Sequence, residues 1–120
     1  GDALPFVHIS TTIKETLLII SEKGLGITGV LNDDKKLVGI ITDGDIRRGV
    51  ENNYNNFFEQ PAKLIMSKDP KTVKSNTLAL SALEVMEKYS ITSLFVFSNP
   101  SSDTPDGIIH IHDILKSGIR

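Results

Sequence analysis

With 120 residues, 39% of them hydrophobic and 23% charged, the chain has the size and make-up of one ordinary domain or two very small ones, which excludes disorder and most multidomain enzymes. Lys and Arg total 13 against 15 Asp and Glu, a net charge of −2, so no basic field gathers nucleic acid or anionic lipid. Cysteine is absent, which rules out disulfides and thiolate zinc sites, and the longest apolar stretches fall far short of the roughly 20 residues that cross a bilayer; a soluble, cytoplasmic protein is expected.

In chain order, a short extended piece precedes Ser10-Thr11-Thr12, whose hydroxyls suit the start of a helix. Ile13, Leu17, Leu18 and Ile20 recur at helical spacing, and Gly24 suits the left-handed residue that ends such a helix. A strand over Ile27 to Leu31, turn chemistry at Asn32-Asp33-Asp34-Lys35-Lys36 and a strand over Leu37 to Ile41 predict a hairpin, followed by a second helix from near Asp45. Asn52 to Asn56 is polar and reads as a linker, and Pro61 opens the next segment. The elements then recur: a polar start at Ser75-Asn76-Thr77, helical spacing of Leu78, Leu80, Leu83, Val85 and Met86, a strand over Leu94 to Phe97, and a long, mobile loop over Asn99 to Pro105. Gly107-Ile108-Ile109 and a helix from near Asp113 complete the set.

Matched residues make the repeat explicit. Pro5 and Pro70, Ser10 and Ser75, Thr12 and Thr77, and Glu22-Lys23 and Glu87-Lys88 are 65 positions apart. Ile27-Thr28 and Ile91-Thr92 follow at 64, and Gly39-Ile40-Ile41 and Gly107-Ile108-Ile109 at 68. Halves of about 60 residues are marginal alone. One pseudo-symmetric module is therefore expected, with residues 1–60 as the first copy, including a linker near 51–60, and 61–120 as the second.

Gly24-Leu25-Gly26-Ile27-Thr28-Gly29 matches G-x-G-x-x-G, but a dinucleotide fingerprint needs a strand before the glycines and a helix after them. Here that order is reversed, which leaves the glycines as helix-stop and close-packing positions. Thr42-Asp43-Gly44-Asp45-Ile46-Arg47-Arg48 stands where a strand turns into a helix. The spacing fits a capping box, Thr42 accepting a backbone N–H and Asp45 reaching back. It also fits a ligand site, since helix-start N–H groups attract phosphate and a carboxylate accepts both hydrogens of a ribose diol. Arg47 and Arg48 then hold a phosphate or sugar carboxylate, or are simply solvated. In the second copy Asp113 keeps the acidic position while His110 replaces Thr42, and loss of the capping hydroxyl modestly favours a binding role for the aspartate. His110 and His112, two apart on a predicted strand, face one side. With Asp113 they fit hydrogen bonding better than metal coordination, and no metal is assigned. Without a nucleophile elbow, zincin pair or P-loop, the chain has no catalytic residue to nominate and describes a binder.

Two copies of helix, strand, strand, helix, each ending in Gly-apolar-apolar-x-x-x-Asp (Gly39 to Asp45, Gly107 to Asp113), together resemble a tandem pair of cystathionine β-synthase (CBS) domains. The run from Leu64 to Val73 resembles the usual approach to such a domain. The first copy lacks its own apolar-Met-Ser lead-in, as expected of a piece cut from a longer chain. The resemblance implies an α/β (α+β) fold, two pseudo-symmetric β-α-β-β-α repeats in one module. More narrowly, Lys23 to Val30, Thr42 to Arg48 and His110 to Gly118 resemble the C-terminal regulatory CBS pair of bacterial arabinose-5-phosphate isomerases.

That resemblance implies a nucleotide-sensing module, itself inactive, of an isomerase whose catalysis lies in an N-terminal sugar isomerase domain and serves Kdo and lipopolysaccharide synthesis. It places the ligand between the repeats, on Thr28, Thr42, Asp45, Arg47, Arg48, Thr92, His110, His112 and Asp113, and requires no cofactor. CMP-Kdo, AMP and ATP are the candidate effectors. CMP-Kdo is singled out because ribose, phosphate and carboxylate together would occupy the arginines and histidines. A homo-oligomer, as a dimer of CBS pairs, is also implied. The alternative is a ligand-free oligomerisation module in which Asp45 only caps a helix.

Overall fold

The computed structural model describes residues 4–116. It divides into two compact units, Gly1–Pro70 and Lys71–Arg120, each built as the sequence pattern predicts. In the first, β1 (Phe6–His8) leads into α1 (Ile13–Lys23), β2 (Ile27–Leu31), β3 (Leu37–Thr42) and α2 (Asp43–Glu51). Two short 3-10 turns, Phe57–Glu59 and Ala62–Leu64, precede β4 (Ser67–Lys68). The sheet order is β1-β2-β3-β4; β1 and β2 run parallel, as a helical crossover requires, and the other pairs are antiparallel. Val7, Ile13, Ile20, Val30, Ile41, Ile46, Phe57 and Ala62 form the core against the helices.

The first unit runs past residue 60 because the following segment is stitched to it. Ile13 N–H donates to Gln60 O, Ala62 N–H to Thr11 O and Lys63 N–H to Ile9 O, and Ala62 is fully buried. β4 then pairs with β3, with Gly39 opposite Lys68 and the Met66 side chain against Gly39, where a Cβ would meet its sulfur at 2.7 Å.

The second unit repeats the plan with β5 (Thr72–Lys74), α3 (Ala79–Tyr89), β6 (Ser93–Phe97), β7 (Gly107–His110) and α4 (Ile111–Lys116). Its three strands are ordered β5-β6-β7, over a core of Val73, Ala82, Met86, Leu94 and Ile114. The loop after β6 is held by its own polar groups. Ser98 N–H donates to Asp106 Oδ1, Ser101 N–H to Asn99 Oδ1 and Thr104 N–H to Ser102 Oγ, and Pro105 is buried.

Strand pairing corrects the repeat alignment. Phe6 pairs with Gly29 and Thr72 with Phe95, so both partners are displaced by 66 positions, not 65 or 64. Val30 pairs with Gly39 and Val96 with Gly107, which retains the displacement of 68 after the hairpin. The capping residues shift accordingly. Thr12 caps α1, its Oγ1 accepting from Glu15 N–H at 3.1 Å, but Leu78 occupies that place in α3 and offers no side-chain bond, so the polar start predicted at Ser75 to Thr77 supplies no cap.

At the other ends Gly24 closes α1 at φ 69°, as its left-handed backbone requires, and Ser90 closes α3 at φ 55°. A side chain in that region costs about 1 kcal/mol. Ser90→Gly is therefore expected to raise stability by about that amount in urea denaturation.

Candidate functional site

The hairpin register brings the end of β3 to the start of β2. Thr42 pairs with Ile27, and the next N–H, of Asp43, donates to Gly26 O at 3.2 Å. Gly26 holds φ +72°, and Asp43 Oδ2 lies 3.5 Å from where its Cβ would stand. Gly24 ends the helix and Gly29, where a Cβ would stand 2.9 Å from a Phe6 ring carbon, is a close-packing position, as the reversed order predicts, while Gly26 precedes β2.

Extended backbone at Thr42 makes it the N-cap of α2, and both halves of the capping box are present. Thr42 Oγ1 accepts from Asp45 N–H at 3.2 Å, and Asp45 Oδ2 accepts from Thr42 N–H at 2.9 Å. The second carboxylate oxygen, Oδ1, accepts from an Arg48 guanidinium N–H at 2.6 Å; the Asp45 side chain is 14% exposed and that of Arg48 62%. Arg47 is exposed. Loss of an N-cap hydroxyl costs about 1 kcal/mol, so Thr42→Ala is expected to lower the free energy of urea unfolding by that amount.

The second unit reproduces half of the box by other means. Asp113 Oδ2 accepts from His110 N–H at 3.1 Å, and His110 Nδ1, replacing the hydroxyl, accepts from His112 N–H at 3.1 Å. Nδ1 is thus an acceptor, and a neutral ring carries its proton on Nε2. The capping explanation survives the exchange of Thr for His, so the recurrence of the aspartate does not by itself favour ligand binding. His112 lies in the first turn of α4, not on the strand, yet the two rings stack with centroids 4.8 Å apart and planes at 22°. Among the described residues no group of three or more His, Asp or Glu is placed to hold a metal ion.

Thr28 and Thr92, matched in the sequence, occupy different places. Thr28 is fully buried beside the core and donates to Gly29 O at 3.2 Å. Thr92 is exposed and its carbonyl accepts from Ile111 N–H at 2.8 Å, the role Gly26 plays in the first unit. Thr42, Asp45, Arg47 and Arg48 lie at one helix start and His110, His112 and Asp113 at the other, whereas Thr28 is withdrawn into the first unit's interior.

A polar chain at the other end of β2 escapes sequence reasoning. His8 Nδ1 is 2.7 Å from Ser10 Oγ and His8 Nε2 is 2.7 Å from Asp33 Oδ1, beside a cavity of about 440 Å³ lined in part by Thr11, Glu15 and Lys35. The contact spans 25 positions and exists because His8 pairs with Leu31, at the mouth of the hairpin turn. Asp33 is 88% exposed, which suits a tie between strand end and turn. In the second unit Lys74 stands at the place of His8, beside a cavity of about 690 Å³.

Comparison with known proteins agrees with this architecture. The family model described as "CBS domain" matches residues 2–52 and again 62–119. The arabinose 5-phosphate isomerase KdsD of Francisella tularensis is 38% identical over 121 aligned residues, covering 100% of this chain and 36% of that protein. The chain thus spans about a third of the length of that curated relative. Among solved structures, the CBS-domain containing protein ATU1752 of Agrobacterium tumefaciens superposes with a TM-score of 0.86 at 23% identity, covering 99% of this chain and 87% of that one. The CBS domain pair of protein MJ0100, solved with 5′-methylthioadenosine and S-adenosyl-L-methionine, gives 0.82 at 22% identity, covering 98% and 90%.

Proposed function

The chain belongs to the CBS domain family, as a tandem pair, and on that premise we propose that it is a regulatory module that binds a nucleotide, with Asp45 holding the ribose diol. The observation that carries the reading is Asp45 itself, a carboxylate fixed by its own capping box at a helix start and paired with Arg48. The backbone N–H groups and positive dipole end of α2, with Arg47 and Arg48, suit a phosphate beside it. Asp113, His110 and His112 form the corresponding candidate in the second unit. The MJ0100 pair, which holds two adenosine derivatives, supports a nucleoside as the common ligand part.

Similarity to the KdsD isomerase supports a finer reading. In it the module regulates a cytoplasmic arabinose-5-phosphate isomerase whose catalytic domain lies outside these residues, and CMP-Kdo, the activated end product of the lipopolysaccharide sugar pathway, is the effector. The ligand regulates only if it prefers one conformation of the module. Thermal unfolding with AMP, ATP, CMP and CMP-Kdo in turn tests both levels. A ligand at 100 times its Kd adds about 2.7 kcal/mol, an upward shift of several degrees for a domain of this size. A shift with CMP-Kdo alone favours the finer reading, one with AMP or ATP the general one, and none with any of the four overturns both.

A ligand-free oligomerisation module is the second reading. It is favoured by the apolar side chains that the helices leave exposed, Leu18, Val50, Leu80 and Leu115, each about half exposed. Sedimentation as a stable dimer with no nucleotide-induced shift would establish it. No helix among the described residues is long and apolar enough to cross a membrane.

A further inference from the structure

We propose that the second unit carries an open seat for an extended segment, and that its occupant is the stretch of a longer chain that leads into residue 1. The first unit shows such a seat filled. Its residues 60–66 run along three backbone groups, Ile9 O, Thr11 O and Ile13 N–H, which bond Lys63 N–H, Ala62 N–H and Gln60 O. Ala62 is fully buried, and Ile65 and Met66 pack against the core. β4 then adds to the outer edge of β3, with Met66 over Gly39.

The second unit keeps the frame of this seat. In the first unit Ile9 N–H donates to Leu31 O and Thr11 N–H to His8 O; at a displacement of 66, Ser75 N–H donates to Phe97 O and Thr77 N–H to Lys74 O. Yet Ser75 O, Thr77 O and Ala79 N–H, the counterparts of the three stitched groups, have no hydrogen bond among the described residues. β7 is the edge of its sheet, and no described strand pairs with its outer side. Gly39, Ile40 and Ile41 are buried in β3, whereas Gly107, Ile108 and Ile109 are only half-buried in β7. Among the described residues a Cβ on Gly107 would meet only Val96, at 3.5 Å, where one on Gly39 meets Met66 at 2.7 Å. Leu78, at the place of the half-buried Thr12, is 74% exposed.

An open strand edge takes up extended chain through backbone hydrogen bonds, and the adjoining side-chain pockets select which chain fits. Here the pockets fit a segment like residues 60–66, with a small residue to bury, then apolar side chains, then a flexible methionine over the glycine. A displacement of 66 carries those residues to the positions directly ahead of residue 1. The KdsD relative, covered over 36% of its length, has chain outside the matched part to supply them. A segment attached there is tethered, so it needs little affinity of its own.

The test is amide hydrogen exchange, followed by NMR, on the 120-residue chain alone and extended at its start by a copy of residues 60–66. In the extended chain the outward-facing amides of β7 are expected to exchange at least about tenfold more slowly, at every protein concentration. Gly107→Val puts a branched side chain where the methionine would rest. Val96 leaves room for its Cβ, so without the extension this variant folds and is no less stable in urea. With the extension it loses the added protection. Equal exchange in the extended and native chains overturns the seat, and protection that survives Gly107→Val removes the glycine from it. Protection that appears only as the chain dimerises in sedimentation overturns the tethered occupant in favour of a second copy.

Discussion

Phe57→Ala is expected to cost about 3–5 kcal/mol, the usual loss for emptying a buried phenylalanine site, and so to leave the first unit near the limit of its stability. Phe57 is 6% exposed, stacks on Tyr54 with centroids 5.8 Å apart, and belongs to the core that holds α1, α2 and the sheet together. Its ring lies so close to α2 that a Cβ on Gly49 would stand 2.1 Å from Cζ, an impossible contact. Gly49→Ala is therefore also strongly destabilising, by overpacking. The two changes couple: with the ring removed, an alanine at 49 has space, so the double variant is expected to be more stable than the sum of the two losses predicts. Urea unfolding of the four proteins measures this directly. Additive losses would show that the ring does not rest on Gly49.

The largest functional effect is expected from Asp45→Ala. Each hydrogen bond from a ligand hydroxyl to a carboxylate contributes roughly 1.5–3 kcal/mol, so losing two weakens the nucleotide by at least about 100-fold. The same change leaves Thr42 N–H without its acceptor and Arg48 without its ion pair, which adds a stability loss of about 1 kcal/mol or more. Titration of whichever nucleotide shifts the thermal transition, repeated on Asp113→Ala, tells which unit binds it. A nucleotide that binds both variants as tightly as the native chain would remove the aspartates from the site while leaving the sensor reading intact.

The capping box shows how far local sequence reaches. Thr42 and Asp45 bond each other's backbone across one helical turn, a geometry that spacing alone dictates, and it is present as read. The Asn32 turn is equally local, with Asn32 Oδ1 accepting from Asp34 and Lys36 N–H. The alignment of Thr28 with Thr92 is displaced for the complementary reason. Their match rested on an Ile-Thr pair in each copy, whereas the place of a strand residue is set by the neighbour it pairs with, and a slip of two positions carries Thr92 out of the strand to the place of Gly26. Likewise, the alternation rule put His112 on β7, but the chain turns into α4 at Ile111.

The sequence by itself determined the doubled β-α-β-β-α plan, the helix-ending Gly24, the hairpin and the acidic residue at each final helix start, because periodicity, left-handed glycine and capping act within a few residues. Only the tertiary structure decided the displacement of 66, the enclosure of Thr28, the His8–Asp33 tie, the stitching of residues 60–68 into the first unit and the seat of Phe57 on Gly49. Those depend on strand register and on packing between segments distant in the chain, where many sequences satisfy the same local pattern and only the closed core selects one pairing.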